Sequence, residues 1–264
     1  MDILRKSLAP INQEAWDEIN EQARVVFQNV LTARKISDVE GPKGFDFGGV
    51  SVGRLNVDES QKEDAVKYGI NRIQPLMETR KSFKLNIWEL DNAVRGAADV
   101  DLEEMEKAAR EIGEFEEKAI YLGFEKACIR GLKEVSDHDT MKFPGEAKEI
   151  LKAVVDAISA MKGAFVEGPY HLVLGNDKWQ SLHIHTGGYP LKRQVEDVIG
   201  GQIILNPNID EGFLVSGRGG DFQLTLGQDL SIGYESHNEK EVQLYFTESF
   251  TFRTLEPAAV IVFE

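Results

Sequence analysis

Hydrophobic residues recur at steps of three and four along three segments of the chain, which is the period of an amphipathic α-helix. The first segment covers residues 12–31, and Asn12 has the side chain of a good N-cap. The second begins at Asp101 and Glu104, a pair that resembles a capping box, and is long enough to form a spine. The third covers residues 147–161. The apolar positions of the three stripes are Trp16, Ile19, Ala23, Phe27 and Val30; Leu102, Met105, Ala109, Ile112, Phe115, Ala119 and Leu122; and Ala147, Ile150, Leu151, Val154, Ile158 and Met161.

Other segments favour extended structure. Residues 41–78 are rich in glycine and lack a helical period, so they predict an extended loop or hairpin outside the core. Apolar and polar residues alternate through 222–226 and 242–253, which predicts strands at sheet edges. Turn formers and a proline at 136–145 favour a subdomain boundary there. Further strands are predicted at 170–175, 202–206 and 212–216, with helical stretches near 177–184 and 190–199. Because strands and helices mix without a regular alternation, the predicted fold class is α+β.

Composition narrows the choice of compartment and partner. The 264 residues contain 42% hydrophobic residues, enough for one large core or two modest ones. Lys and Arg total 30 against 45 Asp and Glu, and the formal charge of -15 disfavours nucleic acid and anionic membranes as partners. The single cysteine, Cys128, lies in a helix-like stretch and is predicted to be a small buried thiol. With no signal peptide or membrane span in the sequence, we expect a cytoplasmic protein.

No set of residues predicts catalysis or a metal site. His183 and His185 would share a face only on a strand, and no third ligand is near, so a solvated loop is the favoured interpretation. The Gly217–Gly220 run lacks the rest of a P-loop and is interpreted as a turn. The sequence contains neither G-x-S-x-G nor H-E-x-x-H. The predicted spine helix carries many carboxylates without the Glu-x-x-His pairing of a di-iron bundle, which favours a solvated helix face. These are Glu103, Glu104, Glu106, Glu111, Glu114, Glu116 and Glu117.

Several motifs resemble one family over nearly the whole chain. They are GGDFQLTLGQDLSIGYE at 219–235, FTESFTFR at 246–253, LRKSLAPINQEAW at 4–16, ARKISDVEGPKGF at 33–45 and WELDNAVRG at 88–96. Their order and spacing are similar to those of the family 1 encapsulins, the shell proteins of bacterial and archaeal nanocompartments. The resemblance implies the HK97-type phage coat fold, with four parts along this chain. These are an N-terminal helix and arm (1–42), an E-loop (43–84), a P-domain (85–138 and 227–264) and an A-domain (139–226).

The resemblance also implies a binding site for the short C-terminal targeting peptide of a cargo enzyme. In the family this groove lies between the N-terminal helix and strands of the P-domain. An extended peptide needs apolar pockets and a few polar groups that fix its direction, and the matching side chains offer both. The alternative is that these residues only attach the first helix to the P-domain. The matching positions are Phe27, Arg34, Asp38, Asp229, Leu230, Ser231, Ile232, Gly233 and Tyr234.

Two further sites follow from the resemblance. The loop that surrounds the five-fold pore in the family matches His183, His185, Thr186, Gly187, Gly188 and Tyr189. Histidine charge near neutral pH would then tune the pore. Some family members hold a flavin (FMN) against a tryptophan, and Trp88 with Arg80 occupies the matching segment. The alternative for Trp88 is an anchored core residue, and no cofactor is required for the predicted role.

Three functions remain open at the level of sequence. The first is a self-assembling icosahedral shell without catalysis that encloses a dye-decolorising peroxidase or a ferritin-like protein, in oxidative-stress defence or iron storage. The second is a protease-like or bacteriocin-like enzyme, an activity ascribed to shell proteins of this kind. The third is a viral major capsid protein, which would have to package DNA, and the acidic composition argues against it.

Overall fold

The computed structural model describes residues 3–62, 65–183 and 190–264, and it has the predicted α+β composition. Its α-helices are α1 (Gln13–Val30), α2 (Ile87–Val94), α3 (Glu103–Tyr121), α4 (Leu132–Val135), α5 (Ala147–Gly163), α6 (Asn176–Ser181) and α7 (Leu191–Ile199). Its strands are β1 (Asp38–Glu40), β2 (Gly49–Val57), β3 (Gly69–Pro75), β4 (Met77–Asn86), β5 (Tyr170–Leu174), β6 (Ile203–Leu205), β7 (Gly212–Ser216), β8 (Phe222–Leu226), β9 (Ser231–His237), β10 (Glu241–Thr254) and β11 (Val260–Phe263). None of the described helices is both long enough and apolar enough to cross a membrane.

The three long helices lie where the periodicity predicts them. The N-terminus of α1 is capped by Asn12, whose Oδ1 accepts a hydrogen bond from the N–H of Ala15 at 2.8 Å. At the start of α3, Asp101 Oδ1 accepts from the N–H of Glu103 at 3.1 Å, so this carboxylate does satisfy a free donor of the first turn. The helix itself begins at Glu103, with Leu102 at the N-cap position.

A five-stranded sheet is organised around β10. This strand pairs with β4 along one edge, and along the other it pairs first with β9 and then with β8. β1 adds to β8 in parallel. The expectation that the segment 242–253 lies at a sheet edge is therefore wrong, because β10 is paired on both sides and its side chains from Leu244 to Glu248 are buried.

A second, four-stranded sheet has the order β11-β7-β5-β6. Two strands pair across the predicted boundary between the A-domain and the P-domain. β8, assigned to the A-domain, pairs with β10, while β11, assigned to the P-domain, pairs with β7. The division into four parts stays a prediction, and the chain crosses from the four-stranded to the five-stranded sheet between Ser216 and Phe222 and returns after Thr254.

Two hydrophobic cores underlie these sheets. One packs α1, α2 and the first half of α3 against the face of β4, β9 and β10, with Trp16, Met105 and Phe246 among its buried residues. The other packs α5, α7 and the end of α3 against the four-stranded sheet and against β8 and the end of β10, with Phe213 and Phe263 among its fully buried residues. The spine helix α3 contributes to both cores and so joins them into one body.

The predicted hairpin exists as β2 and β3, and it belongs to neither core. Its two strands pair with each other in an antiparallel sheet of their own. Leu55, Val57, Ile70 and Ile73 are all more than half exposed along it. Because Leu55 and Val57 lie on one face and Ile70 is paired with Asn56, apolar side chains emerge on both faces of the hairpin.

Cys128 differs from its predicted state. Its thiol is exposed, since the residue follows a single 3₁₀ turn at Glu125–Ala127 and has a left-handed backbone with φ of 57°. The prediction of a buried thiol placed Cys128 in a helix-like stretch, whereas α3 ends at Tyr121 and no α-helix contains Cys128.

Candidate functional site

A groove of about 490 Å³ runs between α1 and the segment that leads into β9. Six of the nine residues predicted for peptide binding line it: Phe27, Arg34, Asp229, Leu230, Ser231 and Ile232. The remaining lining residues are Lys6, Asn20, Ala23, Arg24, Gln28, Leu31, Lys35 and Phe246. The structure therefore brings together two sequence motifs that lie about two hundred positions apart.

The apolar part of the groove is built from aromatic contacts. Phe27 meets Phe246 edge to face, with ring centroids 5.3 Å apart and planes at 83°, and Phe246 packs on Phe83 at 4.9 Å. Phe27 and Leu230 are both partly exposed, whereas Ile232 is only 4% exposed. The floor is consequently well packed, and Phe27 and Leu230 are the side chains that a ligand could still cover.

The polar end of the groove is held by one arginine and three carboxylates. Arg34 makes two bonds to Glu116, from Nε at 3.0 Å and from Nη2 at 2.8 Å. Its Nη1 donates to Asp229 at 2.8 Å, and its Nη2 also contacts Glu248. Since a guanidinium has five N–H groups, this leaves one N–H of Nη1 without a partner among the described residues.

Charge and burial at this cluster oppose each other. The side chains of Glu116 and Glu248 are completely buried, and Arg34 is 19% exposed. Burial disfavours the charge of Arg34, but Glu116, Glu248 and Asp229 outweigh that effect and raise its pKa. Burial, reinforced by repulsion from Glu116, raises the pKa of Glu248 well above its usual range, although Arg34 acts in the opposite direction. One oxygen of Glu248, Oε2, has no hydrogen-bond partner among the described residues.

A second buried network adjoins the first through the next residue of α3. Glu117 accepts from the N–H of Ala33 at 2.9 Å, from Asn206 Nδ2 at 2.8 Å and from the hydroxyl of Thr32. The Thr32 hydroxyl is also 3.0 Å from the hydroxyl of Tyr121. Burial raises the pKa of Glu117 to about 8, although the three donors favour its charged form.

These two glutamates correct the expectation of a solvated carboxylate face on α3. Both are buried, because Glu116 follows Ile112 by four residues and Glu117 follows Gly113 by four, on the side that faces Val30 and Leu31. The helical periodicity of the sequence could have predicted their burial, since the apolar stripe of α3 passes through these two positions. The networks fix the 3₁₀ turn Ala33–Lys35 against α3 and thereby set the polar end of the groove.

Three predicted groove residues lie outside the lining. Asp38 starts β1, and its Oδ2 accepts from the N–H of Gly220 at 2.6 Å. Gly233 lies beneath the ring of Tyr245, and a Cβ there would be 2.2 Å from Tyr245 Cζ, so only glycine fits. The hydroxyl of Tyr234 contacts His237 Nδ1 at 2.5 Å. These residues support the strands next to the groove.

The predicted pore segment is described only at its first residue. His183 is exposed, its ring centroid is 4.0 Å from that of Trp179, and its Nδ1 lies 3.0 Å from the carbonyl oxygen of Trp179. His185, Thr186, Gly187, Gly188 and Tyr189 lie outside the described residues. Within residues 3–62, 65–183 and 190–264, no three His, Cys, Asp or Glu side chains gather as metal ligands would.

The two residues predicted to hold a flavin have different surroundings. Trp88 is 74% exposed in the first turn of α2, so the alternative of an anchored core tryptophan is wrong. Its indole plane is available for stacking. The guanidinium of Arg80 lies 4.2 Å from the ring centroid of Tyr245 and pairs with Glu78 at 3.3 Å, so its contacts are with residues of β4 and β10.

Comparisons with known proteins agree with this fold and these motifs. The family model described as "Encapsulating protein for peroxidase" matches residues 1–251. A type 1 encapsulin shell protein of Rhodococcus erythropolis is 38% identical over 262 residues, which cover 99% of both chains. One from Rhodospirillum rubrum is 38% identical and covers 99% of this chain and 96% of the relative. These relatives are named for a structural role and not for a catalytic one.

Solved structures show the fold. The virus-like particle of Pyrococcus furiosus superimposes with a TM-score of 0.68 at 18% identity, over 94% of this chain and 99% of the other. The capsid protein of Myoviridae phage XM1 gives a TM-score of 0.57 at 14% identity, over 88% and 91% of the two chains. The architecture is therefore that of the HK97-type coat proteins, as the motifs predicted. With the family match and the curated relatives, this places the chain in the family of type 1 encapsulin shell proteins.

Proposed function

We propose that copies of this chain assemble in the cytoplasm into a closed icosahedral shell that encloses a cargo enzyme. The cargo is retained by its short C-terminal peptide, which binds in the groove between α1 and β9. The proposed cargo is a dye-decolorising peroxidase or a ferritin-like protein. The family description, which names encapsulation of a peroxidase, supports the first of these.

The β2–β3 hairpin supports assembly. Its apolar side chains are exposed on both faces, and a two-stranded hairpin without a core has little stability of its own in water. Covering Leu55, Val57, Ile70 and Ile73 on neighbouring copies would stabilise the assembly by about 1.5–3 kcal/mol for each side chain that becomes fully buried. Closed symmetry then holds every chain by several neighbours at once.

The open groove is the single observation that carries cargo binding. It offers an apolar floor at Phe27 and Leu230 beside polar groups at Arg34, Ser231 and Asp229, which is what an extended peptide needs. Two of the basic residues that line it are already paired with carboxylates, Arg24 with Glu21 and Arg34 with Glu116, Asp229 and Glu248, so the lining does not select for a strongly charged peptide. Because most N–H groups of Arg34 already donate to Glu116 and Glu248, we expect the apolar side chains of Phe27 and Leu230 to supply most of the free energy of peptide binding.

Co-expression with the proposed cargo, a dye-decolorising peroxidase that carries its C-terminal peptide, tests the proposal. We expect Phe27→Ala shells to form normally but to lose most of the copurified enzyme, since the variant removes the exposed ring of the floor. The matched control is Val25→Ala, an exposed apolar residue of the same helix that lies outside the groove. Equal cargo content in wild-type, Phe27→Ala and Val25→Ala shells would contradict cargo binding in the groove, but it would not contradict the proposal that the chain forms a shell.

A flavin bound to the shell is a separate proposal, supported by the exposed indole of Trp88. Flavin bound there would stack on the indole, and Arg80 would have to turn away from Tyr245 to reach its phosphate. The absorption spectrum of the purified protein tests this. A flavin band in the wild type that persists unchanged in Trp88→Ala would contradict the assignment.

A further inference from the structure

A cavity of about 620 Å³ separates the base of the β2–β3 hairpin from the body of the molecule. Four arginines line it: Arg54 on β2, Arg72 on β3, Arg130 just before α4 and Arg253 on β10. No aspartate or glutamate is among the described residues that line it. In a chain with 45 acidic and 30 basic residues, such a concentration of positive charge is the reverse of the overall balance.

None of these four arginines forms a salt bridge with another described residue. Arg54 and Arg72 are exposed. Arg130 donates to the carbonyl of Glu134 at 3.3 Å, and Arg253 donates to Gln223 Oε1 and, at 3.3 Å, to the carbonyl of Ser51. Every one of these acceptors is neutral, so four guanidinium charges share the cavity without a counter-charge in its lining.

Two further groups at the cavity bear on its occupant. Glu40 interacts electrostatically with Arg253, but it lies outside the lining and is paired with Lys43 at 2.9 Å. Thr254 lines the cavity, and its buried hydroxyl has no hydrogen-bond partner among the described residues. This hydroxyl is therefore free to donate a hydrogen bond to an oxyanion bound in the cavity.

The cavity lies where the hairpin is attached to the body. Gln74 Nε2 donates to the carbonyl of Phe252 at 2.7 Å and to that of Cys128 at 3.3 Å. Arg54 and Arg72 belong to the hairpin, whereas Arg130 and Arg253 belong to the body. Repulsion between these pairs opposes closure of the joint, and an anion between them would reverse that effect.

We propose that this cavity binds a multivalent oxyanion, a phosphate group, which bridges the hairpin arginines Arg54 and Arg72 to the body arginine Arg130. Guanidinium groups suit this ligand because they donate two parallel N–H bonds to phosphate oxygens. The volume admits inorganic phosphate, pyrophosphate or the phosphate end of a small metabolite. Binding fixes the angle at which the hairpin leaves the body, and therefore the geometry with which it reaches a neighbouring copy.

Isothermal titration of the purified protein with inorganic phosphate, and separately with pyrophosphate, tests the proposal at constant ionic strength. We expect saturable binding of one anion per chain, tighter for pyrophosphate, and weakened at least about 10-fold in the Arg54→Gln/Arg72→Gln variant, since each charge-assisted bond contributes well over a factor of ten. Arg110→Gln, an exposed arginine of α3, is the matched control and should bind as the wild type does. Hydrogen exchange of the β2 and β3 amides should slow on addition of phosphate.

Two results would overturn the proposal. One is the absence of saturable phosphate or pyrophosphate binding by both dissociated subunits and assembled particles. The other is binding that Arg54→Gln/Arg72→Gln and Arg110→Gln weaken equally. If the double variant instead loses assembly while the wild type binds no phosphate, the cavity receives acidic side chains of a second copy, and the phosphate site is wrong. Because phosphate binding is measured on both dissociated subunits and assembled particles, failure of the phosphate site is distinguishable from failure of the proposed shell function.

Discussion

Replacing Arg34 by methionine should destabilise the protein far more than its position at a surface groove implies. The variant keeps most of the side-chain volume but leaves Glu116 and Glu248, both completely buried, without their cation. Removing one partner from a buried ion pair costs about 3–5 kcal/mol. For a chain of this size, that corresponds to a fall of roughly 6–20 °C in the apparent melting temperature.

The assay is the apparent melting temperature of cargo-free protein at several pH values, at a fixed scan rate. The deficit of Arg34→Met should shrink as the pH falls, because orphaned carboxylates have raised pKa values and stabilise the folded state only when they are protonated. Arg24→Met is the matched control. Arg24 also lines the groove, but its pair with Glu21 is more than half exposed, so its loss should leave the melting temperature unchanged within error.

A melting temperature of Arg34→Met equal to that of Arg24→Met would refute this reasoning. So would a deficit that is the same at every pH, since packing loss alone has no such dependence. The Arg34→Met/Glu248→Gln double variant adds a sharper criterion. It should recover part of the lost stability because it removes one of the two buried carboxyl groups that the arginine contacted, and a purely additive result would show that the residues do not interact.

Two further predictions concern pH and assembly. The pKa of Glu117 is about 8 in the folded state against 4.5 in the unfolded state, so the free energy of unfolding should fall as the pH rises between these values, by up to about 5 kcal/mol. Urea titrations at several pH values measure this slope, and Glu117→Gln should flatten it. An unchanged slope in the variant would contradict protonation of the buried Glu117 carboxyl. The double variant Leu55→Asp/Ile70→Asp should remain folded by circular dichroism but should form no particles in sedimentation, whereas the control Asn56→Asp should assemble normally. Particles of normal mass from the double variant would disprove that neighbouring copies cover the apolar side chains of the hairpin.

The long elements could be predicted because their signals are local. The stripe of Trp16, Ile19 and Ala23 needs only its own helix, and Asn12 caps that helix within a single turn. The edge position expected for the segment 242–253 failed for the opposite reason. Alternation within a strand reveals its faces but not its neighbours, and β10 gains partners on both sides from segments far away in sequence.

The buried networks could not be found in the same way. Arg34 bonds residues 82, 195 and 214 positions away, and no local pattern specifies such distances. Glu116 and Glu117 are of a residue type typical of solvent-exposed helix faces, and only their positions within the apolar stripe of α3 indicate that they are buried. In the groove, the family resemblance located six lining residues, but it also included Gly233, whose role is to admit the ring of Tyr245.

The most direct measurement is the mass and shape of the purified, cargo-free protein in native buffer, from light scattering combined with electron microscopy. Our account predicts hollow, closed particles of uniform diameter that persist on dilution, because each chain is held by several neighbours. Monomers or dimers at every concentration, with the apolar residues of the β2–β3 hairpin still exposed, would contradict it.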